Sequence, residues 1–272
     1  MGFWLRRLVE LKGDERKLKA SMDCEVAQIL RDKSLLLWEE MRKSVNCPDM
    51  GVVDELRSGT DLVGTLEKTG LWPTKFQPAL VTLDELHDIA VRERAGLQQQ
   101  FAGVGGAEFI DQVWDKTMEE VKTGILEGPI PLQEIPADHP LNRRFGTQQG
   151  QKVRWIDDFS RSSVNSSVQT CESPKPHTID VFAAMCVHLM LVLSGDETWV
   201  GRTFDLVGAY RQCAVKPSSK KYAYIIVNSR SLLSLLVSGC GPYHLAQCRQ
   251  YMRFFEFPTV CGMSWSGNSE SF

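Results

Sequence analysis

Apolar side chains recur at helical spacing through the first part of the chain. Leu18, Met22, Val26, Ile29 and Leu30 form one stripe, and Cys47-Pro48 closes that segment. Thr82 and Glu85 have the reciprocal spacing of a capping box, so a helix starts there, with Leu86, Ala90, Leu97 and Phe101 on its inner side. Gly103-Val104-Gly105-Gly106 breaks that pattern, and Ile110, Val113, Trp114, Thr117 and Val121 line the next helix. From Gly124 to Pro140, repeated Gly and Pro exclude one continuous helix and mark a boundary. Beyond it the period shortens. Val153 to Phe159, Thr198 to Leu206 and Tyr222 to Val227 read as strands, and the apolar run beginning at Val181 reads as a buried helix. From Asn228 onward little pattern remains. No internal repeat is visible.

These elements predict an α+β protein: a helical region over 1–123, a mixed module with a small antiparallel sheet over 124–227, and a divergent or irregular tail over 228–272. At 272 residues, 43% hydrophobic and 24% charged, the chain can bury a core of one large or two modest domains, and wholesale disorder is not expected. The formal net charge of −3 makes one exclusion. A nucleic-acid partner must be met by a local basic patch, since the molecule is not cationic overall. Eight cysteines without close pairing, and no secretory-type opening, point to a reducing, intracellular setting. Gly2 does not announce myristoylation, because Arg6 stands where Ser or Thr is required. The stretch Val181 to Leu193 contains His188 and is too short to span a bilayer, so no membrane role is expected.

Two segments carry candidate chemistry. In Phe204-Asp205-Leu206-Val207-Gly208-Ala209-Tyr210, a carboxylate ends a β-prone run and a tyrosine follows five positions later, beside small residues. Asp205 is placed to hold a divalent metal, as two-metal nucleotidyl transfer requires. Gly208 and Ala209 leave room over a nucleotide, and Tyr210 beneath the sugar would exclude a 2′-hydroxyl; the alternative is a ring packed at a strand end. In the second segment, Gln151 to Asn165, Lys152 and Arg154 fall on one face of a strand by its two-residue period, with Arg161 beyond. Cations so arranged can grip a triphosphate, or can simply protect an edge strand.

Together, Arg154, Ile156-Asp157-Asp158-Phe159, Arg161 and Asn165, followed by Phe204-Asp205-Leu206 and Ala209-Tyr210-Arg211-Gln212, resemble the fingers motif and first palm motif of reverse transcriptases of retroelements. Gly124-Ile125-Leu126-Glu127-Gly128-Pro129 and Arg144-Phe145-Gly146 resemble the lead-in to those motifs, and the order agrees. The resemblance covers roughly 120–227. It implies a partial fingers/palm module and RNA-directed DNA polymerase chemistry. Asp205 and the carbonyl of Leu206 would hold magnesium (Mg2+), Tyr210 would act as steric gate, and Lys152, Arg154 and Arg161 would contact the nucleotide. The implied partners are an RNA or DNA template-primer and deoxynucleoside triphosphates. After Val227 neither the glycine motif nor the aromatic-x-Asp-Asp turn of that family follows, so polymerisation by this chain alone is not expected. A non-catalytic nucleic-acid-binding or protein-interaction module is the alternative.

Asp157 and Asp158 are expected to be structural, paired with Arg154 or Arg161, although Trp155-Ile156-Asp157-Asp158 mimics the missing turn. Cys240, His244, Cys248 and Cys261 match no compact zinc spacing and read as scattered thiols. His177 and His188 lack triad partners. Lys216, Lys220 and Lys221 beside Tyr222 and Tyr224 suit either a nucleic-acid backbone or a solvated hairpin tip.

Overall fold

The first helices form where the apolar stripe predicts, but as separate pieces. In the computed structural model, which describes residues 2–96, 109–174, 178–192, 213–228 and 233–238, helix α1 (Gly2–Ala20) ends before Asp23. The Asp23 carboxylate accepts from the N–H groups of Glu25 and Val26 at 3.0 and 3.3 Å and starts α2 (Cys24–Ile29). Helix α3 (Leu35–Ser44) takes its cap from another helix, because Ser34 makes no side-chain capping bond. The buried Glu15 of α1 accepts from the N–H groups of Leu35 and Leu36, both at 2.9 Å. With α4 (Val52–Ser58), these helices enclose a core around Leu30, Leu35 and Val53, which also takes in Ala214.

Two short strands interrupt the helical region: β1 (Gly64–Thr65) and β2 (Thr74–Gln77). Helical periodicity cannot reveal them, since β1 has two residues and β2 is exposed throughout. Both flank β6 (Val168–Glu172) in a three-stranded sheet, with β1 parallel and β2 antiparallel to it. The buried Glu172 carboxylate fastens this sheet. It accepts from Thr69 N–H at 2.9 Å, Thr69 Oγ1 at 2.7 Å and Gly70 N–H at 2.8 Å.

Helix α5 (Leu83–Arg94) begins with the expected capping box between Thr82 and Glu85, and Leu86 and Ala90 are its buried residues. Leu97, Phe101 and the glycine run 103–106 lie outside the described residues. Helix α6 (Ile110–Lys122) buries Val113, Thr117 and Glu120 against a five-stranded sheet. Its strands are β3 (Leu126–Ile130), β4 (Leu141–Gln149), β5 (Lys152–Asp158), β7 (Tyr224–Asn228) and β8 (Leu233–Ser238), in the order β3-β8-β7-β4-β5. All neighbours are antiparallel except β4 and β7. Ile225 and Val227 of β7 face α6, and Ile226 packs with Ile135 on the other side. A strand buried on both faces reads as a continuous apolar run, as Ile225-Ile226-Val227 does.

The α+β class is therefore as expected. Core contacts run across residue 124: Leu62 and Leu86 pack with Phe159, Val164 and Tyr222. The segments meet at Gly59, whose φ is 81°; a Cβ there would lie 2.7 Å from the backbone nitrogen of Lys216. Thr60 accordingly exchanges backbone hydrogen bonds with Ala214 and Lys216, at 2.8 and 2.9 Å.

Three expectations are corrected. Helix α7 (Ile179–Val192) is present but not buried: from Ile179 to Leu191 every residue is exposed except Cys186, which is partly buried. Apolarity on every side shows that a helix favours cover. It does not establish that its own chain supplies the cover. Residues 217–222 are no hairpin tip either. They form a 3-10 turn, and two of the three lysines of the cluster are held by carboxylates: Lys216, just before the turn, by Asp61 at 2.9 Å, and Lys220 by Glu25 and, at 3.0 Å, Glu127; the Lys221 ammonium lies 5.1 Å from the centre of the Tyr222 ring. The irregular tail expected over 228–272 is corrected in its described part, where 233–238 form β8; the rest of it from 239, and the expected strand over Thr198 to Leu206, lie outside the described residues.

On α3, Arg42 clasps Glu39 with two hydrogen bonds of 2.7 and 2.8 Å, which lower the Glu39 carboxyl from 4.5 to about 2 against an opposing effect of partial burial. A carboxyl depressed on folding adds stability above its unfolded pKa and loses it as the pH falls through the folded value. The stability difference between the native chain and Glu39→Gln should thus be constant above about pH 5 and decline between 4.5 and about 2, as read from urea unfolding at stepped pH.

Candidate functional site

The basic strand of the sequence reading is an edge strand, held out from the body by a two-residue hairpin. Gln149 pairs with Lys152 across Gly150-Gln151, and Gly150 adopts a φ of 62°, in the left-handed region. This register alternates the two strands between an inner and an outer face. On the inner face, Gly146 lets α6 approach: a Cβ there would meet Phe109 Cβ at 2.7 Å and Val113 Cγ2 at 3.0 Å. Trp155 packs beside them.

The hairpin is anchored by a buried ion cluster. Arg144 makes a forked contact with Asp157, Nε to Oδ1 at 2.5 Å and Nη2 to Oδ2 at 2.8 Å. Its Nη1 donates to Glu120 Oε2 at 2.8 Å and to Thr117 Oγ1 at 3.2 Å, both on α6. Thr117 in turn donates to the carbonyl of Val113 at 2.6 Å. The Arg144 side chain is 2% exposed, Glu120 2% and Asp157 5%, so water screens none of these contacts. Burial pushes the Arg144 guanidinium down, but Asp157 and then Glu120 hold it above its ordinary value. The cluster joins β4, β5 and α6.

The outer face carries the candidate residues. Lys152 and Arg154 are exposed along β5, with Ile156 continuing the row. Their β4 neighbours on that face are Gln149, Thr147 and Phe145. The Arg143 guanidinium lies 5.0 Å from the centre of the Phe145 ring and donates to Asp158 at 3.3 Å. Arg161 is exposed just past the end of β5, and its backbone N–H donates to Asp158 Oδ1 at 3.0 Å. Among the described residues, no ion pair holds the side chains of Lys152, Arg154 or Arg161. The face is thus a surface of cations, one ring and amide or hydroxyl groups, of the chemical kind that contacts phosphates and bases.

The sequence-predicted residues divide accordingly. Lys152, Arg154 and Arg161 are exposed along the β5 edge of the sheet, Lys152 at the start of the strand and Arg161 past its end, while Asp205, Leu206 and Tyr210 lie outside the described residues, as do Arg211 and Gln212. Cys240, His244, Cys248, Cys261 and His177 lie there too. Among the described residues, no group of three or more His, Cys, Asp or Glu side chains is arranged to hold a metal ion. Asp157 and Asp158 are structural, as expected, but their side-chain partners are Arg144 and Arg143 rather than Arg154 or Arg161. The reason is strand register, which sets Arg144 opposite Asp157 and Arg143 opposite Asp158. Arg143 and Thr147 escaped the sequence reading, and Phe145 entered it only within the lead-in Arg144-Phe145-Gly146, not as a ring on the outer face. The Gly150 turn, with its polar flanks between two alternating runs, was the signal that would have found them.

No helix among the described residues is long and apolar enough to cross a membrane. Compared with protein-family models, curated proteins and solved structures, the chain matches none.

Removing Arg144 strands two buried carboxylates. Arg144→Met should cost about 3–5 kcal/mol of unfolding free energy. Asp158→Asn, at a half-buried pair, should cost roughly 1 kcal/mol or less. Equilibrium urea unfolding of the two variants checks the contrast.

Proposed function

We propose that this chain contains the fingers side of a nucleotidyltransferase of reverse-transcriptase type, and that it grips nucleic-acid or nucleotide phosphate without extending a primer. The observation that carries the reading is the outer face of the hairpin, where Lys152 and Arg154 stand exposed in a row with Ile156, opposite Gln149, Thr147 and Phe145 of β4, and Arg161 is exposed past the end of the strand. These cations belong to the same segment whose residue order resembles the fingers motif. In the intact activity, Mg2+ at Asp205 would neutralise the triphosphate and activate the attacking 3′-hydroxyl. The second acidic pair that such chemistry needs does not follow Val227 in the sequence.

The role of Lys152 and Arg154 is electrostatic and does not depend on completed catalysis. Phosphates neutralised by side chains release counterions, so binding weakens linearly with the logarithm of salt concentration. Among the described residues no strand pairs with the outer side of β5, where a phosphate chain can pass without displacing a neighbour.

Filter binding of a primer-template across a salt series should give a slope that flattens by about two ion equivalents in the Lys152→Ala, Arg154→Ala double variant. An unchanged slope would remove the hairpin from the interface. In primer extension with Mg2+ and deoxynucleoside triphosphates, no product is expected. Extension that disappears in Asp205→Ala would overturn the claim of inactivity.

A further inference from the structure

Helix α7 exposes apolar side chains on nearly all sides. Phe182 is 59% exposed, Val187 55% and Leu191 77%. Water-facing groups of this size, contiguous on one helix, mark an association surface. Its ionisable side chains apart from Cys186 are Asp180 and His188, both exposed.

At about 3.6 residues per turn, Asp180, Ala184, Val187, His188 and Leu191 share one stripe. Cys186, the partly buried position, lies on a different side of the helix, so this stripe points away from the body. The stripe is self-complementary when reversed. Two antiparallel copies crossing at Ala184 place the small side chains against each other, where the backbones can approach closely. The same register brings the carboxylate of Asp180 in each copy opposite the imidazole of His188 in the other, twice per pair. Val187 and Leu191 then close over the seam. A parallel pairing would set carboxylate against carboxylate and lose this match.

We infer that α7 is a self-association helix, and that two copies of this chain pair through it antiparallel, centred on Ala184, with Asp180 and His188 joined across the interface. The arrangement is isologous, as a twofold dimer requires: each surface meets its own copy and the assembly closes. The apolar seam supplies the attraction. The acid–base pair sets direction and register.

Sedimentation equilibrium of the full chain over a concentration series should show a monomer–dimer equilibrium. Asp180→Lys should weaken it about tenfold, the size of one to two interfacial polar contacts. Adding His188→Asp to that variant should restore it, because the swapped pair is again complementary. Because α7 is solvent-facing, these substitutions leave the core intact, and unchanged thermal unfolding checks this. As an independent measure of geometry, Ala184→Cys in a Cys186→Ser background should yield a 184–184 disulfide between copies under mild oxidation, identified by peptide mass. A chain that stays monomeric throughout would overturn the proposal. So would failure of the double swap to recover association, open-ended aggregation insensitive to it, a monomer that sediments with neutral lipid vesicles, or absence of the 184–184 peptide.

Discussion

A buried guanidinium is tolerable only where its charge and its donors are matched, and Arg144 is matched from two directions. Asp157 accepts its fork within the hairpin, and Glu120 and Thr117 accept its remaining nitrogen from the helix. Desolvating three charged groups is expensive, and the return is geometric as much as energetic. One residue ties the two strands of the hairpin to each other and fastens them to α6. Everything presented on the outer face inherits that placement. Lys152 and Arg154 stand where they do because Val153, Trp155 and Asp157, their alternating neighbours, are committed inward.

Electrostatics elsewhere in the molecule explain why the hairpin stands apart. Lys216 and Lys220 form a basic cluster near tyrosines in the sequence, yet Asp61 in the loop after α4, Glu25 of α2 and Glu127 of β3 claim them. Burial lowers the Lys220 ammonium, but Glu25 and Glu127 hold it above its ordinary value. In a chain of net charge −3, cations without an internal carboxylate partner are the informative ones. A basic cluster read from sequence says nothing about which members are already spent.

What was legible in the sequence was local. The Thr82–Glu85 box, the stripe around Val26 and Leu30, the strand expected over Val153 to Phe159 and found over Lys152–Asp158, and the inward row of α6 rest on spacing within a single element, and each appears. What was hidden depends on contacts between distant segments. Glu15 capping α3, Glu172 fastening Thr69 and Gly70, and Arg144 opposite Asp157 cannot be seen until strands and helices are paired. Helix α7 failed differently: its composition was read correctly, and the inference from apolar to buried was the faulty step. For the candidate site, the cations were legible because a strand's period orders them. Their ring and their second row were not, since those arrive from β4 through register alone.

The parallel pairing of β4 with β7 has a consequence for how the chain is born. Leu141 to Arg144 lie beside Tyr224 to Val227, so the middle of the larger sheet is missing until the ribosome has passed residue 228. The hairpin can close early, because its two strands are joined by a tight turn. Its neighbour cannot be there to receive it. Nascent protein therefore carries the flank of β4 unsheltered from the completion of that strand at Gln149 until β7 is made at Asn228, and sheets whose partners are far apart along the chain assemble slowly and invite capture by chaperones.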